Sequence, residues 1–195
     1  NKGDLKRIDY SQIKKVFEIL TSKGWELERE NGKVIGLKRN DQKITTEPGF
    51  QYELSGAPYK NINLVCSENS NHFNELKEVF EKTSITTSSI AYDPFNRLED
   101  IPKSPKERYE IMTSEMPKAG KLSLDMMYKT AGIQINYDYI SEEDFEKKFK
   151  IANYLTPLSI ALFANSPFKE KKFSGFLSYR GKVWQETNRG GIMPI

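Results

Sequence analysis

Thr46-Glu47-Pro48-Gly49-Phe50-Gln51-Tyr52-Glu53-Leu54-Ser55-Gly56-Ala57-Pro58 decides how this chain is read. After the Pro-Gly break, its residues alternate with the period of a β-strand. Phe50, Tyr52 and Leu54 fall on one face, and Gln51, Glu53 and Ser55 on the other. Glu47 lies an even number of positions from Glu53 and shares its face if Pro48-Gly49 adds no bulge. That face presents two carboxylates and an amide, with no lysine among them. Ordinary solvated sheet faces mix both signs of charge. Acids and amides alone point to a hard cation and, with it, phosphate. A plain solvated strand is the competing reading of the same spacing.

Upstream, Asp9-Tyr10-Ser11-Gln12 has the form of a capping box. Ile13, Val16, Phe17 and Leu20 make one helical stripe that Gly24 ends. Asn31-Gly32, between residues 25–30 and 33–38, predicts a hairpin, because both turn residues tolerate positive φ. Asp41-Gln42 predicts a second turn into the opening stretch. The first third therefore reads as a helix, then an antiparallel meander whose last strand carries the acids.

Downstream, residues 62–84 read as a helix with Val65, Cys66, Phe73, Leu76, Val79 and Phe80 facing inward. His72 lacks metal-ligating companions nearby and is expected to be structural. Residues 84–91 are β-prone. Ser104-Pro105-Lys106-Glu107 predicts a helix start with Ser104 as cap, running to about Met116. Residues 122–127 read as a short apolar segment. Ile133-Gln134-Ile135-Asn136-Tyr137-Asp138 repeats the alternation of the opening stretch and predicts a second strand, with Gln134 and Asn136 on its polar face. Ser141 predicts the cap of a long helix whose Phe145, Phe149, Ala152, Leu155, Leu158, Ala161 and Leu162 form a buried spine. Pro157 is expected to kink or split it. Arg180 and Arg189 can bind carboxylate or phosphate through their fork of donors, surface arginine being the plainer reading.

A chain of 195 residues suffices for one domain with a sizeable core, and no composition shift divides it, so residues 1–195 are read as a single domain. Net charge +3 is too small to argue for nucleic acid or an anionic membrane. No apolar run approaches the ~20 residues of a membrane span. One cysteine, Cys66, excludes an internal disulfide framework and fits a reducing, cytoplasmic setting, with a buried structural thiol expected.

The opening stretch resembles the signature of glutamate–cysteine ligases of the plant and proteobacterial type, which usually reads Glu-Pro-Gly-Gly-Gln-Phe-Glu-Leu-Ser-Gly-Ala-Pro. Further segments match in order: Asp100-Ile101-Pro102 with Arg108-Tyr109-Glu110-Ile111-Met112, Met116-Pro117-Lys118-Ala119-Gly120 through Asp125-Met126-Met127, Gln134-Ile135-Asn136, Ala161-Leu162-Phe163-Ala164-Asn165-Ser166-Pro167-Phe168, and Gly175-Phe176-Leu177-Ser178-Tyr179-Arg180 with Val183-Trp184. Phe50 replaces the second glycine of the family pattern, and Lys129 stands where the family commonly has arginine.

The resemblance implies an α+β, glutamine-synthetase-like catalytic domain with a curved antiparallel sheet and helices on one face. It implies ATP- and Mg2+-dependent ligation of glutamate to cysteine through a γ-glutamyl phosphate, the first step of glutathione synthesis. Glu47 and Glu53 are the implied metal ligands. Gln134, Asn136, Thr187 and Arg189 are the nucleotide-site candidates, and Arg180 and Lys129 the catalytic ones. The partners implied are small-molecule substrates, in the cytoplasm or in an organelle if the source is a plant. The family carries an acidic strand before the matching region and continues after it, so the chain reads as the central part of the domain. A related ligase with another amine acceptor, or a non-catalytic glutamate- or nucleotide-binding fragment, are the alternatives.

Overall fold

The computed structural model describes residues 6–118 and 120–187. They form two compact units, one within residues 1–89 and 100–112, the other within 90–99 and 113–195. Both helices and antiparallel strands are present, so the chain is α+β.

The first unit opens with α1 (Tyr10–Thr21), whose Asp9–Gln12 capping box forms as expected. Ile13, Val16, Phe17 and Leu20 are all buried. Strands β1 (Glu26–Glu30), β2 (Lys33–Arg39), β3 (Gln42–Thr46) and β4 (Tyr52–Ser55) form an antiparallel meander in sequence order. Asn31 and Gly32 take φ of 48° and 77°, the left-handed pair a two-residue hairpin demands.

Register explains the core. Leu27 pairs with Leu37, Leu37 with Ile44, and Ile44 with Leu54, so one apolar row crosses all four strands. A bulge in the β1–β2 pairing lets Val34 and Leu37, three positions apart, both turn inward. The core gathers these residues with the α1 stripe, Trp25, Phe50 and Val79 of α2 (Ile62–Lys82).

The opening stretch is not one strand. The β3–β4 ladder ends at Thr46 opposite Tyr52, and residues 47–50 turn the chain between them. The Glu47 N–H donates to Gln51 O and the Phe50 N–H to Glu47 O, both at 2.9 Å. Glu47 and Glu53 therefore sit on two limbs of a hairpin. The opposite face of the sheet is also not purely acidic. Pairing brings Lys38 and Lys43 beside Glu26 and Glu28, with ion pairs of 3.3 and 3.2 Å. One strand's sequence cannot show which side chains its neighbours place on the same face.

α2 buries Leu76 and Val79 as expected, but not Cys66 or Phe73. Glu68, His72, Leu76 and Val79 are buried, while Phe73 is 65% exposed and Cys66 is exposed. The reason is a polar network under the sheet. The Glu68 carboxylate accepts from Gln42 Nε2 at 2.6 Å and the Ala57 N–H at 2.9 Å. A Cβ on Gly56 would meet a Glu68 oxygen at 2.2 Å, so a larger residue there would make the carboxylate shift. Glu75 accepts from Arg39 at 2.6 Å and from Trp25 Nε1 at 3.1 Å. His72 is buried, stacks on Tyr52 at 5.6 Å and has its Nε2 3.2 Å from the Tyr52 hydroxyl.

In the chain, α3 (Glu107–Glu115) follows, starting later than Ser104 predicts, because the Ser104 hydroxyl pairs with Thr46 instead of capping. The second unit holds α4 (Ser123–Lys129), α5 (Glu142–Leu162), the short pair β5 (Phe168–Lys169) and β6 (Lys172–Phe173), and α6 (Tyr179–Gln185). A Cβ on Gly120 would fall 2.8 Å from Glu186 O and from Thr187 Cα, so the turn before α4 meets the end of α6 only as glycine. Residues 84–91 form no strand; the nearest pairing is the single bridge between Tyr92 and Thr130.

Two expectations fail in this unit. Residues 131–140 are exposed and join no strand ladder among the described residues, so the second alternating strand does not form. α5 has its Ser141 cap and runs unbroken through Pro157, but none of its residues is buried. Alternation and an apolar stripe report a capacity to be covered, and nothing among the described residues of the unit buries them.

Candidate functional site

The turn at residues 47–50 is held from below and from the side. Phe50 adopts φ of 59°, a left-handed conformation that costs a non-glycine residue. Its ring is 3% exposed and lies 6.4 Å from Tyr10 in the core. Arg7 donates to the Gly49 carbonyl, and the Gly49 N–H donates to Gln51 Oε1 at 2.9 Å.

From the side comes the segment at residues 104–109. The Ser104 N–H donates to Pro48 O at 2.8 Å. Lys106 Nζ and the Tyr109 hydroxyl both donate to Thr46 O, at 2.9 and 3.0 Å. The Tyr109 hydroxyl also lies 3.3 Å from Glu47 Oε1, and Arg108 Nη2 stands 4.0 Å from that same oxygen. Arg108 Nη2 donates to the Tyr109 oxygen at 2.8 Å.

Electrostatics follow from this packing. Burial, and then the charge of Glu47, push the Glu53 carboxyl above its ordinary range. Burial pulls the Lys106 ammonium down, helped by Arg108 and opposed by Glu47, Glu30 and Glu53. Burial raises the Tyr109 phenol to about 12, which keeps it a neutral donor at physiological pH. Two carboxylates that repel each other beside fixed cations suit a divalent ion completed by phosphate oxygens. Magnesium is commonly held by one or two carboxylates plus substrate phosphates. No cluster of three or more acidic, histidine or cysteine ligands occurs among the described residues. Glu47 and Glu53 could each donate a carboxylate oxygen to such an ion.

The sequence reading missed Lys106, which it took for part of a helix start. The matching Arg108-Tyr109 segment, which begins two residues on, was the available signal.

Within the second unit, Lys129 is 1% exposed and its Nζ donates to Asn96 O at 2.7 Å, 4.8 Å from the Tyr92 ring centre. Burial lowers its pKa, against the pull of Asp125, Asp93 and Glu170. Arg180 Nε donates to Ala131 O at 3.0 Å, and the guanidinium lies 5.6 Å from the Trp184 ring centre. A Cβ on Gly132 would sit 2.7 Å from Arg180 Nη2, so glycine there makes room for the guanidinium. Burial lowers the Arg180 pKa. Thr187 is buried, with its hydroxyl donating to Trp184 O at 2.8 Å. Gln134 and Asn136 are exposed within residues 131–140. Arg189 lies outside the described residues. The structure thus groups Glu47 and Glu53 in the first unit, and Lys129, Gln134, Asn136, Arg180 and Thr187 belong to the second.

Residues 2–195 match the family described as glutamate-cysteine ligase family 2 (GCS2). The chain belongs to this family. It is 44% identical over 194 residues to glutamate–cysteine ligase A, chloroplastic, of Oryza sativa subsp. japonica, covering 98% of this chain and 39% of the relative. The chloroplastic ligase of Nicotiana tabacum is 43% identical over 196 residues, covering 99% of this chain and 38% of the relative. That of Arabidopsis thaliana is 44% identical over 194 residues, covering 98% and 37%. This member of the family spans about two fifths of the length of the relatives it matches.

Proposed function

We propose that this chain supplies part of an ATP-dependent ligase joining the γ-carboxylate of glutamate to the amine of cysteine. The observation that carries the reading is the paired Glu47 and Glu53, set among fixed cations in a chain of this ligase family. Glu47 and Glu53 would hold Mg2+, which would supply positive charge against the nucleotide phosphates. Arg108 adds a fixed positive charge beside Glu47. Acyl phosphate formation needs positioning and charge neutralisation rather than a nucleophilic side chain, and cysteine's amine then displaces phosphate.

In the second unit, Arg180 is assigned to a substrate carboxylate or the transferring phosphoryl group, its plane fixed by Ala131 and Trp184. Lys129 is assigned to the supply of positive charge. Gln134, Asn136, Thr187 and Arg189 are assigned to the nucleotide. The reading takes residues 1–195 as the central part of one glutamine-synthetase-like catalytic domain, in keeping with the share of the relatives that it spans. An organellar location accords with relatives named chloroplastic. No helix among the described residues is long and apolar enough to cross a membrane.

The test is phosphate release by the intact protein with Mg2+ and ATP. Release that requires both glutamate and cysteine, and is lost in Glu53→Gln, is expected. Release with glutamate and a different amine, but none with cysteine, refutes the reading.

A further inference from the structure

The Thr46 carbonyl has two lone pairs, and two donors occupy them: Lys106 Nζ at 2.9 Å and the Tyr109 hydroxyl at 3.0 Å. The hydroxyl has only one proton, yet Glu47 Oε1 also lies within reach at 3.3 Å. Its oxygen already accepts from Arg108 Nη2. Thr46, Lys106 and Tyr109 are 2%, 5% and 3% exposed, so water is a poor substitute for any of them. Without Lys106, the phenolic proton would be committed to Thr46, because a buried carbonyl with no donor is costly. With Lys106 in place, that carbonyl keeps a donor whichever way the phenol turns.

We propose that Lys106 and Tyr109 are positioning residues for Glu47. Lys106 satisfies the Thr46 carbonyl so that the single Tyr109 hydroxyl proton can orient the Glu47 carboxylate through Oε1. Oε2 is then the oxygen presented to a divalent cation, since the Tyr109 and Arg108 contacts both fall on Oε1. This role rests on the assignment of Glu47 as a cation ligand made above. It explains why a lysine is buried at a carbonyl that a tyrosine already serves.

The test is Mn2+ binding by the intact protein at a fixed concentration of a non-hydrolysable ATP analogue, read from the electron paramagnetic resonance signal of the free ion against the same analogue without protein. Wild type is compared with Glu47→Gln, Lys106→Met, Tyr109→Phe and the Lys106→Met/Tyr109→Phe pair, each checked for folding by circular dichroism. Outer partners of metal ligands typically contribute at least about tenfold in affinity, so each single variant should weaken binding by about that factor. The pair should bind no more weakly than either single variant, because both changes remove the same hydrogen bond. Should Lys106→Met fail to fold, Tyr109→Phe keeps the ring and carries the test alone. Wild-type affinity in Tyr109→Phe, or losses that multiply in the pair, overturns the proposal while Glu47→Gln still weakens binding. Unchanged binding in Glu47→Gln instead removes the ligand assignment, and the positioning role falls with it.

Discussion

Replacing Phe50 with glycine sets two effects of the same residue against each other. The ring is 3% exposed and packed in the core with Ile13, Phe17 and Val79 as fellow members. Removing such a ring costs about 3–5 kcal/mol. The backbone at φ 59° gives back about 1–2 kcal/mol when the Cβ is gone. Glycine's greater freedom in the unfolded chain costs roughly 0.5–1 kcal/mol. Burial wins, and Phe50→Gly should lose about 3 kcal/mol, although the family pattern carries glycine there.

Alanine separates the two effects. It loses the ring but keeps the strain, so Phe50→Ala should be less stable than Phe50→Gly by roughly 0.5–1 kcal/mol. The assay is urea unfolding followed by Trp25 fluorescence, in a background where Trp184 is phenylalanine. Trp25 is buried in the same core. With a urea slope of about 1–3 kcal/mol per molar, the glycine variant's midpoint should fall by about 1 M or more. A glycine variant as stable as wild type would show that the ring does not anchor the turn. An alanine variant more stable than the glycine one would refute the left-handed backbone at this position.

The remaining predictions concern charge and burial. Glu53 has its folded pKa raised above the ordinary 4.5, so its contribution to stability is present below that value and lost as pH rises through the folded pKa. Glu53→Gln should therefore stabilise at pH 7, by at most about 1 kcal/mol because the group is partly exposed, while losing Mg2+-dependent ATP binding; a destabilised variant contradicts the sign. His72 has its pKa pulled below 6.5, by burial first, with Arg39 acting the same way and Glu75 and Glu68 opposing. Its contribution is present above pH 6.5 and lost as pH falls through the folded value, and His72→Phe should flatten the urea midpoint between pH 7 and 5. Lys129→Met should lower the thermal midpoint of the second unit by the equivalent of about 1–3 kcal/mol, since Asn96 O loses a buried donor; no shift would show that bond to be dispensable. Residues 1–195 expressed alone should bind a hydrophobic dye, because Ile133, Tyr137, Ile140 and Phe163 are each more than 75% exposed; a dye signal no higher than that of a compact control protein would show those side chains to be covered.

Local rules made much of the first unit legible. The Asp9 capping box, the α1 stripe and the Asn31-Gly32 turn are short-range features, and each forms as its residues dictate. The acids of the opening stretch were also visible, but their shared strand was not real, because Phe50 takes a backbone conformation that alternation cannot report. Only the folded chain brings Lys38 and Lys43 onto the sheet face, and Lys106, Arg108 and Tyr109 to Thr46 and Glu47, across some 60 positions. α5 and residues 131–140 show the converse. Their apolar pattern is plain in the sequence, yet they are exposed here, because burial belongs to the contacts a segment finds rather than to the segment itself. What the sequence determined alone was composition, caps, turns, periodicity and family likeness. Which charges meet, which side of α2 faces the sheet and which oxygen of Glu47 is held were decided by long-range packing, where side chains distant in the chain share one low-dielectric space.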